Sequence, residues 1–116
     1  MKGCVKMTLN EIIYNCLGKV KAENILEYDM KGFSPFYDTM ILASVDSERQ
    51  ASAGVSYIEE EASKAGFKIR GIEGENSPWV LIDLNDIIVS IFTKEERERF
   101  SLEKIYLDFP CKKIED

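Results

Sequence analysis

Between Glu73 and Asp86 the sequence places four acids, Glu73, Glu75, Asp83 and Asp86, around the single tryptophan, Trp79, with no base among them. Two chemistries fit these residue types. Alternation along a strand puts Trp79, Leu81 and Asp83 on one face, and Val80, Ile82 and Leu84 on the other. An indole and a carboxylate on one face, beside an acidic turn, suit a partner surface with an aromatic anchor. The plainer alternative is packing for Trp79 and solvated turn residues for the acids. The second chemistry is metal-assisted nucleotidyl transfer, because paired carboxylates at a strand end can hold magnesium. It would require Asp38, Asp83 and Asp86 to converge on one pocket. The spacing is unhelpful: a hairpin turn separates Asp83 from Asp86, and Asp86 suits a turn residue bonding its own backbone. No glycine-rich phosphate loop, Walker lysine pattern or GxGxxG precedes a helix.

Other chemistries are excluded by what the chain lacks. It contains no histidine, so Ser-His-Asp and Cys-His mechanisms and histidine-ligated zinc are ruled out within one chain. The cysteines Cys4, Cys16 and Cys111 are odd in number and form no CxxC pair. That pattern suits a reducing compartment. Cys16 reads as a small core hydrophobe, and Cys4 and Cys111 as neighbours of frayed ends. No catalytic residue, metal or cofactor is expected.

The formal net charge is −6, from 15 Lys and Arg against 21 Asp and Glu. Phosphate affinity rests on clustered positive charge, so tight sequence-blind binding of DNA or RNA is disfavoured and a basic partner is the better match. No apolar run approaches signal or membrane-span length, so a cytoplasmic protein without a membrane partner is expected. At 116 residues and 13.3 kDa the chain can bury one core without disulfide or metal support. One domain, 1–116, with an ordered core over about 8–110, follows.

The elements that must position the acidic segment can be read from periodicity. Thr8-Leu9-Asn10-Glu11 is a capping box, and Leu9, Ile12, Ile13, Cys16, Leu17 and Val20 recur at helical spacing, predicting a helix from about 9 to 20. A short strand over 24–29 follows, then an irregular stretch with Gly32 and Pro35. Residues 38–45 are apolar on both faces, which predicts a central, doubly covered strand. Ser47-Glu48-Arg49-Gln50 opens a second helix to about Ala65, with Ala51, Val55, Ile58, Ala62 and Ala65 as its buried stripe and Gly66 as its C-cap. Strands over 67–72, 79–84 and 87–92 come next, the last two joined at Asn85-Asp86 as an antiparallel hairpin. A short helix capped at Thr93 reaches about Phe100, and Ser101–Leu107 add a further turn or two. Arg97 reads as helix-surface charge, or alternatively as an anchor from this helix to a carboxylate on the sheet. Residues 111–116 read as a mobile polar tail. The fold class is α/β, a single mixed five-stranded sheet flanked by helices.

Several segments taken together resemble the Iojap family, the ribosomal silencing factors. They are Asp29 before Gly32-Phe33-Ser34-Pro35; Asp38-Thr39-Met40-Ile41-Leu42-Ala43-Ser44; Ser47-Glu48-Arg49-Gln50; Glu73-Gly74-Glu75-Asn76 with Trp79-Val80-Leu81-Ile82-Asp83-Leu84 and Asp86-Ile87-Ile88-Val89; and Glu96-Arg97, Phe100 and Leu102-Glu103. The resemblance spans about residues 9–110. It implies a nucleotidyltransferase-like topology without the catalytic motif. It also implies attachment to a ribosomal protein on the intersubunit face of the large subunit, which blocks small-subunit joining and lowers translation when nutrients are scarce. Little direct RNA contact and a capacity to homodimerise are implied as well. The rival classes are a nucleotidyltransferase-like enzyme and a general ribosome-assembly factor. The family usually has histidine where this chain has Ser90, and tryptophan where it has Tyr106. With these positions, the expected protein-binding patch comprises Glu73, Trp79, Asp83, Ser90, Phe92 and Tyr106.

Overall fold

A computed structural model describes residues 8–32, 34–100, 104 and 109–114. The first helix, α1 (Leu9–Lys19), begins at the expected capping box: Thr8 Oγ1 accepts from the Glu11 amide at 3.2 Å, and the Glu11 carboxylate accepts from the Thr8 amide at 2.9 Å. Its apolar stripe buries Ile12, Ile13, Cys16 and Leu17, while Glu11, Asn15 and Lys19 face solvent. Strands β1 (Glu23–Asp29) and β2 (Thr39–Val45) pair antiparallel, with a register shift between Glu23 and Leu26. Asn24, inside that shift, has φ +51°.

Helix α2 (Glu48–Lys64) starts at Ser47, whose Oγ accepts from the Gln50 amide at 3.2 Å. The Gln50 side chain does two further things. Its Oε1 accepts from the Asp46 amide at 2.9 Å, and its Nε2 donates to the Val20 carbonyl at 3.1 Å, tying the start of α2 to the end of α1. Ala51, Val55, Ile58 and Ala62 are buried as the stripe requires, whereas Ala65 is exposed at the cap, just before Gly66 at φ +91°. Gly54 is a close-approach position, since a Cβ there would lie 3.3 Å from Ile91 Cδ1.

The chain then forms β3 (Gly71–Glu73), β4 (Trp79–Asp83), β5 (Ile87–Thr93), α3 (Lys94–Phe100) and β6 (Cys111–Ile114). The sheet order is β3-β4-β5-β2-β1-β6, with β2 and β5 parallel and the other neighbours antiparallel. Six strands replace the five expected. The extra one is β6, which pairs with β1 through Ile25–Ile114 and Tyr28–Cys111 in the segment that composition marks as a mobile tail. Cys-Lys-Lys-Ile carries too little apolar character to announce a strand, but an edge strand needs only the backbone groups of its neighbour. The nucleotidyltransferase-like topology implied by the resemblance gains no support from this arrangement. The expected strand over 67–72 is also shorter than its alternation suggests: only Gly71–Glu73 pair as a strand. The turns expected over Ser101–Leu107 lie outside the described residues, apart from the single residue 104.

Helices α1 and α2 cover one face of the sheet. There Ile41, Ala43, Val45, Val80, Ile82, Val89 and Ile91 join the helical stripes in the main core. The opposite face holds a second cluster of Tyr28, Met30, Met40, Leu42, Ile88 and Phe92, with Leu26, Tyr37, Trp79, Leu81 and Phe109 partly buried against it. Central β2 and β5 are therefore covered on both sides, as the apolar run over 38–45 required.

Candidate protein-interaction face

Cross-strand register decides which side chains share this second face. Trp79 lies opposite Phe92, Leu81 opposite both Glu73 and Ser90, and Asp83 opposite Ile88; across the parallel pair, Ser90 lies opposite Leu42 and Ile88 opposite Met40. Opposed residues project to the same side of a sheet. Glu73, Trp79, Asp83, Ser90 and Phe92 thus occupy one face, away from α1 and α2. Tyr106 lies outside the described residues.

Exposure divides the five. Glu73 is exposed, and Trp79 and Asp83 are half-buried. Ser90 and Phe92 are 1% and 0% exposed, so they form the floor beneath the others. The Trp79 and Phe92 rings stack with centroids 4.9 Å apart and planes 25° apart. Such stacking fixes the indole plane and adds about 0.5–1.5 kcal/mol beyond burial. Ser90 Oγ sits 3.9 Å from Met40 Sδ, at the weak sulfur-acceptor limit of a hydrogen bond. The serine at this position is therefore a core residue.

Local chemistry explains why the acidic turn holds its shape. Gly74 has φ +77°, and a Cβ there would fall 2.2 Å from the Trp79 carbonyl oxygen, so only glycine fits. Ser77 Oγ donates to the Trp79 carbonyl at 2.9 Å and accepts from the Trp79 amide at 3.3 Å. The Thr93 amide donates to the Pro78 carbonyl at 2.8 Å, binding the turn to the end of β5. Glu73 and Trp79 are consequently held by the same turn.

Asp83 has a local task too: its Oδ1 accepts from the Asn85 amide at 2.9 Å, closing the β4–β5 turn with Asn85 at φ +78°. This is the backbone bond that spacing suggested for Asp86. The aspartates needed for metal-assisted transfer do not gather. Asp38 and Asp86 line one cleft at the strand ends, but Asp83 is not part of its lining. Among the described residues no group of three or more His, Cys, Asp or Glu is placed to hold a metal ion.

Arg97 was expected on a helix surface or against a carboxylate. It is instead 7% exposed, and its Nη1 donates to the Asn24 carbonyl and, at 2.9 Å, to Ser44 Oγ. The anchor exists, and a backbone carbonyl and a hydroxyl are among its acceptors. Sequence reasoning also missed the part that Tyr28 and Met40 play in the floor of this face, against which Phe109 packs. The alternation of Met40, Leu42 and Ser44 carries that signal, but apolar residues on both faces of β2 hide it.

The geometry defines a small mixed α/β protein whose sheet is covered by two helices on one side and presents a tryptophan flanked by acids on the other. Residues 6–116 match the family model described as "Ribosomal silencing factor during starvation". The chain is 35% identical over 108 residues to the ribosomal silencing factor RsfS of Halalkalibacterium halodurans, covering 92% of each. It is 37% identical over 101 residues to that of Haemophilus influenzae, covering 86% of this chain and 99% of the relative. A crystal structure from Bacillus halodurans superposes with TM-score 0.79 at 34% identity, over 91% of this chain and 97% of that one. Another, from Chromobacterium violaceum, gives TM-score 0.81 at 27% identity, over 89% and 87%. This chain belongs to the ribosomal silencing factor (RsfS) family.

Proposed function

We propose that this protein binds a ribosomal protein on the intersubunit face of the large ribosomal subunit and, by occupying that face, blocks joining of the small subunit and represses translation in the cytoplasm. The observation that carries this reading is the single sheet face on which Glu73, Trp79 and Asp83 stand over Phe92 and Ser90. A fixed aromatic anchor flanked by carboxylates is complementary to a basic protein surface, and the formal net charge of −6 supports the same choice of partner. Family membership supplies the ribosomal context. Tyr106 belongs to the patch through the family resemblance alone. Repression by occupancy requires no reaction, and none is assigned.

Homodimerisation is part of the same reading. Strands β3 and β6 end the sheet and offer edges for pairing, although each is short. Light scattering across a concentration series tests this, and a monomer throughout removes it.

The decisive experiment is co-sedimentation with purified large subunits, followed by addition of small subunits. Binding and a dose-dependent loss of joined ribosomes are expected. Full subunit joining at saturating protein would overturn the mechanism.

A further inference from the structure

At the end of the sheet where β2 and β5 begin, a cleft of about 560 Å³ opens between the start of α1, the β1–β2 loop, the segment after α2 and the β4–β5 turn. Its lining includes Lys31, Lys68, Arg70, Phe67, Asp38 and Asp86. Three cations from two separate loops thus meet in one place on a chain whose formal net charge is −6. Among the described residues none of the three lies within ion-pair distance of a carboxylate, although two carboxylates line the same cleft. Arg70 is positioned by neutral groups: Nη1 donates to Asn85 Oδ1 at 3.0 Å, and its amide donates to the Asp83 carbonyl at 2.7 Å. Phe67 is 36% exposed on the lip, one of the few large apolar side chains left in solvent.

We propose that this cleft binds a free nucleoside di- or triphosphate. The volume lies in the range of small-ligand sites, roughly 300–1,000 Å³. Lysine and arginine that are not neutralised internally are the natural partners of phosphate oxygens, and guanidinium matches phosphate with paired donors. An exposed aromatic ring beside them gives a base a surface on which to stack. The mixed sign has a use as well. Asp38 and Asp86 repel bare phosphate but accept hydrogen bonds from ribose hydroxyls or a base amine, selecting a nucleotide over an inorganic anion. The cleft lies at the strand ends, whereas Trp79 and Phe92 lie at the opposite ends of β4 and β5 from the Asn85-Asp86 turn. The cleft therefore opens away from Trp79, with Asp83 standing beside the β4–β5 turn that forms one of its walls, and no reaction is implied.

The test is titration of the full-length protein, without ribosomes, with ADP, GDP, inorganic pyrophosphate and an eight-nucleotide single-stranded RNA. Calorimetry gives affinity, and amide chemical shifts in nuclear magnetic resonance give location. Saturable binding of ADP or GDP is expected, with shifts at Lys31, Phe67–Arg70 and Leu84–Ile87. K68A and R70A should each weaken it about tenfold, on the scale of a lost charge-assisted contact. Pyrophosphate should bind more weakly than either nucleotide, F67A should weaken the nucleotides toward that level, and K113A, on the far edge strand, should change nothing. Because Lys68 is exposed, K68A keeps the test valid even if R70A disturbs the β4–β5 turn. The proposal is overturned by no binding at millimolar nucleotide, by affinity unchanged in K68A and R70A, or by RNA binding without nucleotide binding. Ribosome co-sedimentation is measured separately, so failure here leaves the silencing mechanism untouched.

Discussion

The Arg97 guanidinium donates to Ser44 Oγ at 2.9 Å, joining α3 to the last turn of side chains on central β2. The same nitrogen serves the Asn24 carbonyl within the register shift of β1. One buried cation thus holds a helix, a central strand and an irregular stretch of its neighbour. Replacing it by alanine strands two acceptors, and R97A is expected to lose about 2–4 kcal/mol of stability in urea unfolding. S44A removes one acceptor as well as the bond, and should cost about 1 kcal/mol. Equal stability of R97A and wild type would refute the anchoring role.

Gly74 ties the acidic turn to the indole. G74A is expected to cost about 2–4 kcal/mol, because its Cβ collides with the Trp79 carbonyl at an already left-handed φ. Trp79 fluorescence should change with it, since the start of β4 must move. G54A is the contrasting case. Its Cβ meets only side-chain ends, Ile91 Cδ1 at 3.3 Å and Val20 Cγ2 at 3.6 Å, and helix propensity gains about 1 kcal/mol, so stability should remain within about 1 kcal/mol of wild type.

Affinity for isolated large subunits separates contact from support. W79A should weaken binding about 30-fold, corresponding to ~2 kcal/mol at an interface anchor. E73K lies on an exposed side chain, so its fold stability should stay within about 0.5 kcal/mol while association slows, more at low salt than at high salt. Circular dichroism verifies the fold of each variant. Wild-type affinity in folded W79A and D83K would remove the site assignment.

Cys16 gives a pH-dependent probe of the core. Burial is the largest cause raising its pKa above the ordinary 9.0, with Lys19 opposing and Glu61 adding. A raised folded-state pKa stabilises the fold below the unfolded thiol value, and this contribution fades as pH rises through the folded value. Stability should therefore decline above about pH 9 less steeply in C16A than in wild type. In a C4S background, Cys111 should react readily with a thiol reagent at neutral pH and Cys16 only on unfolding.

The residues most legible in the sequence were those whose neighbours in space are also near in the chain. The Thr8 and Ser47 caps, the stripes of α1 and α2 and the Trp79–Leu81–Asp83 alternation depend on contacts a few residues apart. Central placement of β2 was legible from its length of apolar residues. The remainder depends on distant partners. β6 is a strand only because β1 lies beside it, some 85 residues earlier. Ser90 and Phe92 look available on a strand, and become a floor only when Met40 and Leu42 arrive across the parallel pair. Arg97 sits in a run of surface-like charge, Glu95 to Arg99, and nothing local distinguishes the one member that turns inward.

The parallel pairing of β2 with β5 imposes an order on synthesis. β2 leaves the ribosome with β1 already available on one edge, while its other partner begins only at Ile87, about 40 residues later. At translation rates of about 5–20 residues per second, that edge waits about 2–8 s for its mate. During this interval Met40–Val45 is a sticky apolar segment with open backbone donors and acceptors, the kind of surface that nucleates aggregation. Helix α2 follows almost immediately and shields one side. The nascent chain is consequently most vulnerable after α2 and before β5, and chaperone dependence should be concentrated there.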